Sequence, residues 1–437
     1  MEIRSTRRDM LKSTAALGVG YWLGTSAIAD VRAAPSEKLN VAFVGIGGRG
    51  RDNLNGISGH SVNVVALCDV DDERAGDAYE AFPQAKKFFD FRRMFDELEQ
   101  QIDAVVVSTP DHTHFHPAKM ALERGKHLYC EKPLGHTVVE TRSLTNLARR
   151  NKVATQLGTQ RHAMSNFHRV VEILQSGAIG RVQECHAWVD GSRGMPEMPT
   201  EFPAVPSQLK WDLWLGPCAD RPYSPAYCPY EWRFWWDFGT GETGNMGCHI
   251  LDIPYTALGL KYPTSVIVPP CEPHPQTSPR SMEVRFEFPA EGDRSPVTLH
   301  WYHADNGPSI VHELGVDTKG TNQLYIGSEG MLLCGFGRYK LLPEEKFADF
   351  QPPPQTFPDS PGFYREWIDA CQGGSPATCH FDYSGPLTET VLLGNAAYRA
   401  GGGEYAWDGG QLQASGSSSI ETYLTQAYRK GWEVATV

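Results

Sequence analysis

The sequence predicts an α/β chain in two parts: a doubly wound parallel sheet, then an α+β part with a large, mostly antiparallel open sheet. Three observations predict it. From Leu39 onward, apolar runs alternate with amphipathic helical stretches, the pattern of βαβ units. The first run ends in Gly45-Ile46-Gly47-Gly48-Arg49-Gly50, a glycine turn leading into a helix. After Gly158 strand-like alternation takes over, and 437 residues exceed the ~250 to 300 that one hydrophobic core supports.

Ahead of the first strand, Arg7-Arg8 precedes a mildly apolar, small-residue run from Ser13 to Ile28, and Ala27-Ile28-Ala29 offers a cleavage site. Paired arginines before such a run are the twin-arginine export pattern, here over residues 1–34. It predicts a protein exported folded, cofactor aboard, to the periplasm or another extracytoplasmic space. The run is too short and glycine-rich to span a membrane, so no membrane contact beyond export is expected. The net charge of −12 opposes binding to nucleic acid or anionic lipid. Ten cysteines without a C-x-x-C pair read as buried thiols.

The first part, residues 37–160, takes its strands from runs 39–45, 62–69, 87–90, 104–109, 127–131 and 153–158, with helices such as 117–124 and 138–150 between them. The second part, 161–437, opens with a helix at 165–176. Strands follow at 182–190, 281–288, 296–302, 322–327 and 331–334, then late helices at 362–371 and 385–399 that are free to pack back on the first part. The proline- and aromatic-rich stretch 196–229 reads as ordered loop.

The glycine turn follows a strand, so its N–H groups and the helix N-terminus can meet a pyrophosphate. This assigns Gly45, Ile46, Gly47, Gly48, Arg49 and Gly50 to a dinucleotide. Asp69 ends the second strand 24 residues after Gly45, where a carboxylate accepts the adenosine ribose hydroxyls. It repels a 2′-phosphate, and no base follows directly (Val70, Asp71, Asp72), which favours NAD over NADP.

Ser108-Thr109-Pro110-Asp111-His112-Thr113-His114 closes the fourth strand at the ligand-binding edge. His112, His114 and His116 tempt a metal reading, but a turn bounded by Pro110 and Pro117 does not converge them, so no metal is expected. Ser108, Thr109, Pro110, His112 and His114 are assigned to the cofactor pocket. Glu131-Lys132-Pro133 ends the fifth strand, which places a lysine where nicotinamide would lie. Trp235 and Trp236 stand in an aromatic cluster (Tyr227 to Phe238) with Arg233; flat faces beside hydrogen-bonding groups suit a sugar ring, and equally a packing plug. Arg161, with Gln160 and His162, and Tyr302, with His303, are further substrate-site candidates.

Together with Gly244-Asn245-Met246-Gly247-Cys248-His249-Ile250-Leu251-Asp252, these motifs resemble the family of glucose-fructose oxidoreductase, inositol dehydrogenase and rhizopine catabolism (Gfo/Idh/MocA). The resemblance implies a Rossmann first domain, Lys132 and His249 as proton-handling residues at nicotinamide, and Asp252 within the substrate motif. The sequence departs from the family at one catalytic position: Asn245 stands where an Asp four residues before His249 belongs. Asn orients partners only through neutral hydrogen bonds. The implied activity is NAD-dependent oxidation of a secondary hydroxyl on a sugar, glycoside or polyol, with tightly held, recycled cofactor. Some relatives instead hydrolyse glycosides by transient oxidation, elimination and re-reduction, and a non-catalytic dinucleotide- or sugar-binding protein is the third reading. The expected partner is a small carbohydrate, and the expected assembly a homo-oligomer through the second sheet.

Overall fold

The computed structural model describes residues 38–191, 193–303, 307–415 and 419–436; the export signal expected at 1–34 lies outside them. β1 (Leu39–Val44), β2 (Val62–Cys68), β3 (Lys86–Phe88), β4 (Ala104–Val107), β5 (His127–Cys130) and β6 (Thr155–Leu157) form one sheet, ordered β3-β2-β1-β4-β5-β6. Every pairing in it is parallel. Val41, Ala42, Phe43, Val105 and Val107 are wholly buried. A sheet covered on both faces calls for such unbroken apolar runs. Strand order reverses between β1 and β4, so the crevice beyond their carboxyl ends is where this architecture binds ligands.

β7 (Val182–Val189), β8 (Ser265–Val268), β9 (Met282–Phe288), β10 (Val297–His303), β11 (Gln323–Gly327), β12 (Met331–Cys334), β13 (Tyr339–Leu342), β14 (Gly403–Asp408) and β15 (Gln413–Ser415) form the second sheet. Its order is β13-β12-β11-β7-β10-β9-β8-β14-β15. Among the described residues only the β7–β10 pair is parallel. Cys185, Ala187, Val284, Phe286, Leu299 and Trp301 point inward from it onto the helices Ser165–Gln175, Gly241–Ile250 and Phe381–Arg399. β8, β13, β14 and β15 exceed the sequence expectation; β14 starts in Gly401-Gly402-Gly403, which reads locally as loop. The last long helix begins at Phe381 rather than 385, because Pro386, which reads as a first-turn residue, sits inside it.

Both sheets sit in one compact unit. The core around the first sheet takes in Phe363, Trp367 and Ile368 of the helix Phe363–Cys371, together with Phe381 and Trp432. The stretch 196–229 contributes Leu209, Trp214, Leu215 and Tyr227 to a third cluster with Trp232, Trp235 and Phe238. Among the described residues no helix is long and apolar enough to cross a membrane.

Candidate active site

At the strand-order reversal, Gly45 has φ +79°, and a Cβ there would lie 2.7 Å from Ser108 O. A Cβ on Gly50 would lie 2.1 Å from Gly45 O, so glycine alone lets the helix Arg49–Ser58 start this close to the strand. Gly48, the residue before that helix, supplies no side-chain cap; Gly50 N and Arg51 N turn back to Gly47 O and Gly48 O at 3.0 Å, and the helix opens on the crevice with no side chain over its end. Over Gly47 and Gly48 the nearest atoms to where a Cβ would stand belong to Arg74. Asp69 Oδ2 accepts from Ile46 N at 2.8 Å and Gly47 N at 3.2 Å, and Oδ1 accepts from Asp71 N at 3.0 Å. The carboxylate thus braces the turn as well as facing the crevice, and burial raises its pKa despite those donors. The open turn, the uncapped helix and Asp69 fit a dinucleotide.

Gly45, Gly47, Gly48, Arg49, Asp69, Ser108, Thr109 and Pro110 line a cavity of about 910 Å³ that also holds Glu131, Lys132, Asn245 and His249. Asn245 and His249 are four apart on the helix Gly241–Ile250 and so share a face. Lys132 Nζ lies 2.8 Å from Asn245 O and 3.1 Å from Asn245 Oδ1. Burial pulls the lysine below its usual value of 10.5, towards the neutral amine. Once it gives up a proton, the amine keeps two N–H groups, which the two Asn245 oxygens can hold, and gains one lone pair. Behind it, Glu131 Oε1 accepts from Asn53 Nδ2 (3.0 Å), Gln160 Nε2 (2.8 Å), Tyr129 OH (3.3 Å) and Arg49 Nε (3.4 Å), which anchors the strand end.

His249 has a buried Nδ1 with no hydrogen-bond partner among the described residues. Burial first, then the charges of Lys132, Arg161 and Arg49, hold its pKa well below 6.5, so the imidazole is neutral. Asn245 therefore orients Lys132, not His249. Its Nδ2 faces Glu242 at 3.4 and 3.5 Å, and Glu242 is ion-paired with Arg193. The carboxylate missing at 245 is present one turn earlier, behind the amide. Sequence reading missed Glu242, although its spacing of three from Asn245 on a helix was there to be seen.

Several expected site residues stand elsewhere. His112 is fully buried, with Nδ1 3.2 Å from Phe238 O and Nε2 2.9 Å from Trp214 O; burial lowers its pKa to about 3. His114 lies 2.7 Å from Pro133 O and 2.8 Å from Thr109 O, tying the Lys132 turn to the Thr109 turn from behind. His116 Nε2 meets Trp432 O at 2.9 Å, so the three rings serve three different carbonyl sets. Trp235 and Trp236 are packing plugs, their indole N–H groups donating to Ala226 O at 2.9 Å and His274 O at 3.2 Å. From that cluster Tyr230, Trp232 and Arg233 line the cavity instead. Tyr302 stacks with His186 and His300 on the sheet face opposite Trp301. Asp252 is buried against His162, whose Nδ1 is 3.0 Å from both carboxylate oxygens. Among the described residues two groups have the spacing of metal ligands, His162–Asp252–Cys379 and Glu184–His186–His300, and neither lines the cavity.

Residues 39–159 match the model of an oxidoreductase family with an NAD-binding Rossmann fold, and residues 182–288 match that family's C-terminal alpha/beta domain. Inositol 2-dehydrogenase of Salmonella typhimurium is 29% identical over 168 residues, 37% of this chain and 49% of that protein. A glycosyl hydrolase family 109 protein of Solibacter usitatus is 28% identical over 204 residues, 41% and 44% of the two chains. The chain thus spans about half the length of the curated relatives it matches. Among solved structures, an inositol dehydrogenase homolog from Azotobacter vinelandii, complexed with NADH and myo-inositol, superposes with TM-score 0.54 and 17% identity, covering 85% of this chain and 98% of that one. The WlbA dehydrogenase of Bordetella pertussis, in complex with NADH and UDP-GlcNAcA, gives TM-score 0.60, 15% identity and coverage of 85% and 99%. At such identities the likeness is one of fold. With the two domain models falling on the two sheets and the glycine turn and Asp69 at the strand-order reversal, the chain belongs to the Gfo/Idh/MocA oxidoreductase family and carries its NAD-binding domain.

Proposed function

We propose that this protein oxidises a secondary hydroxyl of a sugar, glycoside or polyol, using NAD held tightly and recycled between turnovers. The observation that carries the reading is Lys132 Nζ, lining the cavity of the glycine turn within hydrogen-bond reach of both Asn245 oxygens. Bound NAD supplies the hydride acceptor. The hydroxyl proton passes to the Lys132 lone pair as the carbinol C–H leaves with its electron pair, so one carbonyl and one ammonium form. Neutral His249 offers a hydrogen bond to the same or a neighbouring hydroxyl, and Tyr230 and Trp232 offer faces to the ring. Carbohydrate as substrate is supported by the names of the curated relatives; retention of NAD is supported by Arg7-Arg8, since an exported enzyme must bring its dinucleotide along.

The Solibacter relative favours a second reading, redox-neutral cleavage of a glycoside, in which the same Lys132 chemistry opens and closes the cycle. One experiment tests both: mass spectrometry of the dinucleotide that co-purifies, then incubation with a glycoside panel. NADH or a keto-sugar supports the oxidoreductase, and free aglycone without NADH supports the glycosidase. NADP in the protein, or neither product from an NAD-loaded protein, overturns the proposal.

Asn245 supplies a sharper check. Asn245→Asp sets a carboxylate where Oδ1 now lies 3.1 Å from Nζ, which favours the ammonium and raises the lysine pKa. The acid limb of kcat/KM against pH should move upward, by about one unit or more. Because His249 is neutral to well below pH 6.5, no separate limb near that value is expected in either protein. An unmoved limb, measured across pH with cofactor occupancy checked, contradicts Lys132 as the base.

A further inference from the structure

Beyond Arg74, which lies over the glycine turn, two more guanidinium groups line the cavity without a carboxylate to meet them among the described residues. Arg161 follows β6 and lies over the Phe336 ring, 3.9 Å from its centroid. Burial alone lowers its pKa, with no acid near enough to oppose the shift. Arg233 lies 4.3 Å from the centroids of both Tyr230 and Trp232 and donates once, to Tyr230 O at 3.0 Å. Burial lowers its pKa too, and Asp111 opposes this only in part. Among the described residues neither arginine has an ion pair, whereas Arg49, Arg142, Arg193 and Arg221 are paired with Glu131, Glu389, Glu242 and Asp237.

Nor do the nearby acids serve them. Asp111 Oδ2 accepts from Thr240 N at 3.1 Å and Thr240 Oγ1 at 2.6 Å, Glu131 is occupied by its own four donors, and Glu231 acts on Arg233 without forming an ion pair with it. Both arginines stand at the reacting end: Arg161 acts electrostatically on His249, and Arg233 on Lys132. The pyrophosphate site is at the glycine turn, where Arg49 opens the helix. Withdrawing a guanidinium from water without a counter-charge is costly, and a planar fork matches a carboxylate or phosphate with two parallel hydrogen bonds. A neutral sugar has no group that compensates for two such charges.

We infer that the substrate is an acidic sugar, a pyranoside bearing a carboxylate or phosphate that Arg161 and Arg233 hold while Lys132 works on a ring hydroxyl. This rests on the proposed carbohydrate oxidation and names its substrate class. The test is calorimetric binding to the NAD-loaded protein of D-glucuronate, D-galacturonate and glucose 6-phosphate against glucose and galactose, for wild type, Arg161→Met and Arg233→Met. Methionine keeps an apolar stem and removes the fork, and retained NAD certifies each fold.

At least one acid should bind about tenfold or more tighter than its neutral parent, and either variant should erase that margin. The uronates and the sugar phosphate, as separate arms, identify the anion. Equal affinities for acid and parent, a margin that survives in both variants, or no saturable acid binding at millimolar concentration overturns the inference. Turnover, followed in parallel, separates the two claims. Acid selectivity without turnover leaves this inference standing and removes the proposed oxidation; turnover of neutral sugars without acid selectivity does the reverse.

Discussion

Lys132→Ala lowers turnover by about 10²- to 10⁴-fold and leaves NAD in place; this is the largest effect expected of any single change in the catalytic apparatus. Among the described residues the side chain's hydrogen bonds go to Asn245, whereas the turn that holds the dinucleotide depends on Gly45, Gly50 and Asp69. Removing the amine therefore deletes a proton acceptor without touching the cradle. Lys132→Arg should not rescue, because a guanidinium cannot give up its proton at working pH. Single-turnover hydride transfer, with dinucleotide content by mass spectrometry, checks both halves. Rates within a few-fold of wild type would return Lys132 to a structural role and leave His249 as the base.

The second large effect concerns stability. Asp252→Ala should cost about 3 to 5 kcal/mol of folding free energy, since it leaves a buried histidine without its counter-charge. Burial opposes charge on His162, but the Asp252 carboxylate outweighs it and holds the pKa well above 6.5. A histidine with a raised folded pKa contributes stability in full below the unfolded value and loses it as pH rises through the folded value. The gap between wild type and variant should thus be widest at about pH 6 and narrow towards alkaline pH, as read from urea melts across that range. In whatever fraction folds, KM should be unchanged, because Asp252 is not in the cavity wall. A variant of full stability with a raised KM would restore Asp252 to the substrate site.

The parts of the site set by chain-local rules were legible in the sequence. The glycine turn needs positive φ and close approach, Asp69 needs the end of β2, and Lys132 needs the end of β5; each follows from spacing alone. Residues whose role depends on which way they face were not legible. Trp235 and Trp236 carry the same chemistry as Trp232, and only the packing of 209–238 decides that Trp232 sees the cavity. Alternation along β10 separates Trp301 from Tyr302, but helices distant in sequence choose which of them looks inward. Asp252 follows His249 by three residues, yet the helix ends at Ile250 and the next begins at Asp252, turning its carboxylate to His162. The departure at Asn245 was legible as a loss of charge; that its backbone and side-chain oxygens both meet Lys132 was not.

The core of the first sheet is finished by Trp367, Ile368, Phe381 and Trp432, and Trp432 also walls the cavity. The six strands end at Leu157, so more than half of the chain leaves the ribosome between the making of this sheet and its closure. Such long-range pairings fold slowly, and a nascent half-domain in waiting exposes apolar surface to chaperones or to its neighbours. The cavity wall is therefore complete only once residues far along the chain from β6 have packed back onto the first sheet.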